Sequence, residues 1–266
     1  MAKITGVEID KSAAEALFSL AGKKALVTGA SAGIGQAISL ALATAGADVA
    51  VLARGSDLET TATAVRLLGR QAVAIRCDVG DTGKIGEVVS SACQQLGGLD
   101  ILVVAAGTTF RAPSEIFPED KFDEIIRVNL KSAFLFCQHV ARQMIKQDTG
   151  GKIINIASMQ SFQGGITIPA YAASKGGLAV MTKTFANDWA KYRIQVNAIA
   201  PGYIHSRLTD TLYRDKKRSR AILERVPAGR WGVPDDLRGA AVFLASRASD
   251  YVTGHILCVD GGYQAR

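Results

Sequence analysis

The segment ALVTGASAGIG, Ala25–Gly35, decides how the rest of this chain is read. A short apolar run leads into Thr28, glycines follow at Gly29, Gly33 and Gly35, and a helical stretch, Gly35–Ala45, begins where they end. Strand, glycine turn and helix in that order form the opening unit of a dinucleotide-binding α/β fold. Gly29 permits the sharp turn, Gly33 lets the backbone approach a pyrophosphate, and Gly35 allows close helix packing. Free N–H groups and the positive dipole end of the helix then face the phosphates.

The same alternation continues outward. Apolar, strand-sized runs occur at Ala25–Val27, Val49–Ala53, Ala72–Ile75, Ile101–Ala105, Ile153–Ala157, Ile194–Ile199 and Ile256–Val259. They are continuous and rich in Val, Ile and Ala, as strands covered on both faces should be. Helical stretches separate them at Leu58–Leu68, Lys84–Leu96, Phe122–Lys146, Ala172–Tyr192 and Asp235–Ser246. Seven strands alternating with helices predict a Rossmann-type α/β fold: one parallel, doubly wound sheet with helices on both faces. No linker composition interrupts the series, so residues 1–266 read as a single domain with residues 1–17 as an N-terminal extension. The charged stretch Gly202–Trp231 is longer than an ordinary connection and reads as an irregular substrate-side lid.

Composition narrows the function classes. Of the 266 residues 48% are hydrophobic and 21% charged, enough to bury a substantial core. No apolar run approaches the roughly 20 residues of a membrane-spanning helix. The N-terminus, MAKITGVEIDKSAAEALFSL, is unlike a secretory signal, which makes the cytoplasm the expected compartment. Cys77, Cys93, Cys137 and Cys258 are widely spaced and His139, His205 and His255 scattered, so neither a disulfide frame nor a metal site is expected. The net charge is +7, but its basic residues are dispersed except in RDKKRSR, Arg214–Arg220. That run reads as a solvated helix face or as an attractor for an anionic substrate. Nucleic-acid binding ranks last, since no aromatic-interleaved basic surface accompanies it.

A second constellation carries chemistry. Ser158 closes the fifth strand, at the carboxyl edge where open α/β sheets bind ligands. Tyr171 and Lys175 follow four residues apart, on one face of the next helix. An ammonium beside a phenol is expected to stabilise the phenolate and lower the tyrosine pKa, making Tyr171 a general acid or base. Ser158 is then placed to hold the substrate oxygen.

The Gly-xxx-Gly-x-Gly spacing, the Ser158–Tyr171–Lys175 set, NAIAPGYIHS and VDGG resemble the short-chain dehydrogenase/reductase family, from about Phe18 to the end of the chain. The resemblance implies reversible hydride transfer between a nicotinamide and a secondary alcohol or ketone, without a metal. It adds Asn129 to the catalytic set, as the residue that distorts its helix and holds a proton-relaying water. It places the dinucleotide on Gly29, Ser31, Gly33, Ile34 and Gly35, with Asp78 and Val79 at the adenine. Ala106 and Gly107 line the middle of the groove, and Lys175 binds the nicotinamide ribose beside Tyr171. Pro201, Gly202, Ile204 and Ser206 close over the nicotinamide, Ile204 through its backbone.

Two departures from the family pattern matter. Ala53 stands where NAD-preferring members carry an acid, and Arg54 where NADP-preferring members often carry a base, so NADP(H) is favoured and NAD(H) remains possible. Val104-Ala105-Ala106-Gly107 replaces the usual Asn-Asn-Ala-Gly, so the asparagine hydrogen bonds must be arranged differently. GGKIINIASMQSFQGG, ANDWAK, RVPAGRWG and ASDYVTGH are similar to the sugar-acid branch of the family, which implies a substrate such as a deoxygluconate. Gln160, Gln163 and His205 are candidates for its hydroxyls and Arg207, Arg214 or Arg230 for its carboxylate. A 3-oxoacyl-[acyl-carrier-protein] reductase is the alternative enzyme, and a non-catalytic NADP-binding regulatory protein the alternative of another class. Family members assemble as homotetramers through the two long helices, where Ala172, Ala173, Gly176, Gly177 and Ala179 would suit close approach.

Overall fold

The computed structural model describes residues 2–4, 7–9, 13–55 and 57–266. Seven strands form one parallel sheet: β1 (Lys24–Thr28), β2 (Asp48–Ala53), β3 (Ala72–Arg76), β4 (Ile101–Val104), β5 (Gly151–Ile156), β6 (Ile194–Pro201) and β7 (Ile256–Val259). Their spatial order is β3-β2-β1-β4-β5-β6-β7. Order therefore reverses between β1 and β4, which opens a crevice at their carboxyl ends.

The sequence looks uniformly apolar because alternate residues feed two cores. Leu26, Leu52 and Leu102 point into one cluster with Phe136 and Val140. Ala25, Val27, Val49, Val51 and Val103 point into the other with Ile38 and Leu42. Period-two alternation is present, but both faces are covered and so both are apolar.

Helices α1 (Gly33–Thr44), α2 (Leu58–Leu67) and α3 (Ile85–Leu96) match the expected stretches within two residues. The long helix expected over Phe122–Lys146 is not continuous α-helix. It comprises α4 (Glu119–Ile126), a π-helical turn Arg127–Lys131 and α5 (Ser132–Gln147). Next come α6 (Pro169–Trp189), α7 (Asp210–Arg214), α8 (Lys216–Leu223) and α9 (Arg238–Ala245).

Two of these helices lie in the stretch expected to be irregular. Asp215 explains the second: its carboxylate accepts from the backbone N–H groups of Lys217 and Arg218, both at 3.1 Å, capping α8. The N-terminal stretch contains an antiparallel pair, Ala2–Ile4 with Val7–Ile9, and a short helix, Ala13–Phe18. Among the described residues no helix is long and apolar enough to cross a membrane.

Candidate active site

The glycine turn is tight where β1 meets β4. Gly29 has φ +68°, and a methyl added there would lie 2.8 Å from the Ala106 amide nitrogen. A methyl on Gly35 would collide with the Gly29 carbonyl. Gly33, at φ +59°, looks instead across the groove to the Ser206 side chain, 3.8 Å from where its own Cβ would stand. Ala32 gives the helix no side-chain cap, which leaves its first N–H groups facing the groove. These features fit a pyrophosphate. Ser31 borders the turn half-buried, while Ile34 packs against the adjoining core.

Thr28 answers for the missing asparagines. Its Oγ1 accepts from the backbone N–H groups of Ala105 and Ala106, both at 3.1 Å, tying β1 to the end of β4. Sequence reasoning passed over this residue, and a hydroxyl-bearing residue at the last strand position was the available signal.

Of the residues expected near the adenosine, Arg54 and Asp78 pair with each other at 3.3 Å. Asp78 also accepts from Gly80 N–H at 2.8 Å, capping its own turn, and Val79 is buried in the core. At the other end a methyl on Gly202 would lie 2.6 Å from Asp260 Cα, so only glycine lets β6 turn there beside Pro201. Ile204 bridges to Gly232, and its carbonyl accepts from Thr209 Oγ1 at 2.6 Å. Ser206 shares Thr209 as a partner, its N–H donating to Oγ1 at 3.0 Å.

Ser158, Tyr171, Lys175 and Asn129 come together from three elements. Ser158 Oγ accepts from Gln160 N–H at 3.1 Å. Lys175 is buried on α6, and its ammonium donates to the Ile156 carbonyl at 2.6 Å, 5.8 Å from the Tyr171 ring centre. Asn129 lies within the π-helical turn, where the widened turn aims its amide inward. The amide grips Thr108, accepting from its N–H at 2.8 Å and donating to its C=O at 2.9 Å, and donates to Ser174 Oγ at 3.1 Å. Asn129 Oδ1 and Lys175 Nζ both border Gly107, 3.5 and 3.9 Å from where its Cβ would stand.

The expected electrostatics are corrected here. Tyr171 is pushed above its ordinary pKa by burial, against which the neighbouring Ser158 hydroxyl and the charge of Arg111 act downward. Lys175 is lowered to about 8, also by burial. The ammonium is turned to the Ile156 carbonyl, so in this state the phenol is tuned by Ser158 and Arg111.

Beside Ser158 and Tyr171 lies a cavity of about 330 Å³ that includes Gln160 and Gln163. His205 is elsewhere: it stacks on Tyr213 at 4.0 Å, meets Asp210 at 3.3 Å and lines a separate surface hollow. The arginines proposed from sequence are also committed elsewhere. Arg207 pairs with Asp57 at 3.2 Å, Arg214 with Asp210 at 2.8 Å and Arg230 with Asp236 at 2.7 Å. The cavity instead receives Arg111, Arg218 and Arg225, and among the described residues none of the three has a carboxylate partner. Burial lowers the pKa of Arg111, and the Arg218 charge lowers it further. Arg225 lies 4.5 Å over the Tyr263 ring. Sequence reading missed Arg111 because it sits alone in a loop, 60 residues from Tyr171.

Residues 29–264 match the family model described as Enoyl-(Acyl carrier protein) reductase. The chain belongs to the short-chain dehydrogenase/reductase family. It is 51% identical over 249 residues to 2-dehydro-3-deoxy-D-gluconate 5-dehydrogenase of Bacillus subtilis (strain 168), spanning 94% of this chain and 97% of that one. Identity to the enzyme of the same name from Dickeya dadantii (strain 3937) is 48%, over 94% and 98% of the two chains. Among solved structures it is similar to a gluconate 5-dehydrogenase from Burkholderia cenocepacia J2315 in complex with NADP and tartrate. That likeness has a TM-score of 0.91 and 42% identity, covering 95% of this chain and 99% of the other. As a member of this family the chain is an oxidoreductase acting on CH–OH groups, and the reading as a non-catalytic binding protein is set aside.

Proposed function

We propose that the chain interconverts a secondary alcohol and a ketone on a sugar acid, a gluconate or deoxygluconate derivative, with NADP(H) as the favoured cofactor and NAD(H) as a possible one. One observation carries the substrate class: three arginines that have no carboxylate partner among the described residues line the cavity that also holds Ser158 and Tyr171. Like charges gathered at one cavity call for an anionic ligand, and guanidinium groups suit a carboxylate. The names of the relatives agree with this reading.

The bound dinucleotide supplies or accepts the hydride. Gly29, Gly33 and Gly35 make room for its pyrophosphate, with Ser31 and Ile34 beside them. Arg54 is the group for a 2′-phosphate, with Asp78 and Val79 near the adenine and Ala106 and Gly107 along the groove. Pro201, Gly202, Ile204 and Ser206 border the nicotinamide end. Tyr171 exchanges the proton of the reacting oxygen and Ser158 holds that oxygen. Lys175, at a pKa of about 8, is mostly charged at pH 7 and close enough to neutrality to pass a proton on. Asn129 fixes Thr108 and thereby the loop that carries Arg111.

A panel of keto sugar acids and 3-oxoacyl thioesters, assayed with NADH and NADPH, tests the reading. Turnover of a sugar acid with preference for NADPH is expected. Failure of every sugar acid alongside turnover of a thioester would overturn it. That second reading draws on the family model's description and on Ile166, an exposed apolar residue at the cavity that would suit an acyl chain.

Residues 1–266 would act as one domain, with 202–231 as its substrate-side lid. A homotetramer built on the long helices is favoured by exposed Phe134 on α5 and Val180 on α6. Gly176 is open there, whereas Gly177 is used within the chain, where a methyl would lie 3.0 Å from Leu130. Light scattering on the purified protein decides the assembly. Four free cysteines suit work in the cytoplasm.

A further inference from the structure

Among the described residues, four buried side-chain atoms lack any hydrogen-bond partner: Arg70 Nε, Arg238 Nε, Thr109 Oγ1 and Gln160 Oε1. The last two belong to residues that line the cavity beside Tyr171. Gln160 is only 8% exposed, so water does not offer it an easy substitute. A buried acceptor without a donor is costly, and its retention needs a reason.

Both residues are held by members of the proposed catalytic set. Gln160 donates its backbone N–H to Ser158 Oγ at 3.1 Å. Thr109 follows Thr108, whose N–H and C=O are both engaged by Asn129, at 2.8 and 2.9 Å. The space around the Gln160 amide is also built. A methyl on Gly165 would lie 2.8 Å from Gln160 Oε1 and 2.5 Å from Ile168 Cδ1, so this glycine leaves the amide its place. Two orphaned oxygens are therefore carried on backbone fixed by Ser158 and by Asn129.

We infer that Thr109 and Gln160 are specificity-determining residues that read hydroxyl groups of the substrate. An amide oxygen accepts only, so its partner must be a donor; a hydroxyl qualifies and a methylene does not. The Thr109 hydroxyl can donate or accept. The selected class is a polyhydroxylated ketone, as against a deoxygenated or acyl one, and this rests on the reading of the cavity as the substrate site. Sites that hydrogen-bond a substrate hydroxyl discriminate strongly against its absence, because their own groups are then left unpaired.

The test uses Thr109→Val and Gln160→Met, which keep approximate volume and remove the polar atoms, with Thr109→Ser as the conservative control. Substrates are offered in pairs, hydroxylated and deoxygenated, in three series: keto sugar acids, neutral hydroxyketones and 3-oxoacyl thioesters with and without a vicinal hydroxyl. In whichever series the wild type turns over, the ratio of kcat/KM for the hydroxylated to the deoxygenated member should fall about tenfold in each apolar variant and be retained by Thr109→Ser. The free protein should melt at the same temperature or higher in both apolar variants, since an unpaired polar atom has been removed. A ratio within twofold of wild type in both variants overturns the inference, as does a wild type that prefers the deoxygenated member. Activity confined to neutral hydroxyketones would overturn the sugar-acid reading and leave this one standing. A lower melting temperature in both apolar variants, with the ratio unchanged, would mark the two oxygens as structural.

Discussion

The Arg54 guanidinium and the Asp78 carboxylate, expected at different parts of the cofactor's adenosine, hold each other at 3.3 Å. Both are substantially exposed, at 80% and 44%, so the pair is worth about 0–1 kcal/mol. A dianionic 2′-phosphate offers Arg54 a stronger, bidentate partner. Arg54→Ala should therefore raise KM for NADPH about tenfold or more and for NADH about twofold or less. Steady-state kinetics with the two cofactors decide it, and equal effects would remove Arg54 from cofactor selection.

Tyr171→Phe removes the only atom through which this side chain can exchange a proton. We expect kcat to fall about a thousandfold, while NADPH affinity, read by fluorescence titration, stays within a few-fold. Near-normal turnover would transfer the proton to another group.

Thr28 holds two backbone donors with one hydroxyl. Thr28→Val keeps the shape and leaves the N–H groups of Ala105 and Ala106 unpaired beside the glycine turn, a loss of about 2 kcal/mol. Thr28→Ser should restore most of it. Chemical denaturation of the three proteins measures both differences, and a valine variant as stable as wild type would contradict the assignment.

Lys175 titrates near 8 in the folded chain, against an ordinary value of 10.5. Between those values the unfolded chain binds more protons, so this group makes stability rise with pH across that window. Below pH 8 the buried ammonium costs about 3 kcal/mol. Lys175→Met should melt above wild type at pH 7, less the roughly 1 kcal/mol of its hydrogen bond to Ile156. The gap should close as pH rises from 8 towards 10. Melting curves across pH 7–10 read it, and a constant gap would refute the buried charge.

The sheet was legible from sequence because each strand is a short apolar run between helical stretches, and β1–β7 fall where those runs lie. The π-helical turn at Arg127–Lys131 was not, because no residue type there breaks an α-helix; the distortion was anticipated only through the resemblance that singled out Asn129. α7 and α8 were hidden by charge. Their apolar residues, Leu212 and Ile222, pack in a satellite cluster with Met159, Trp231 and Tyr263 that forms only once the C-terminal residues fold back against the loop after β5. At the site, Ser158, Tyr171 and Lys175 were readable because their spacing is local. Arg111 and Thr109 were invisible, since what distinguishes them is a missing partner, a property of three-dimensional neighbours alone. His205 misled because its position in the segment expected at the nicotinamide says nothing about which way its ring turns, and Tyr213 and Asp210 decide that.

The guanidinium groups of Arg111, Arg218 and Arg225, without carboxylate partners among the described residues, have a kinetic side. A positive cavity on a chain of net charge +7 draws an anion in from solution before any contact forms, and mobile salt weakens that pull over about 10 Å at 0.1 M. Raising ionic strength should therefore slow the arrival of an acidic substrate while sparing a neutral one of the same shape. The slope of kcat/KM against salt then counts the charge the cavity presents to an incoming molecule.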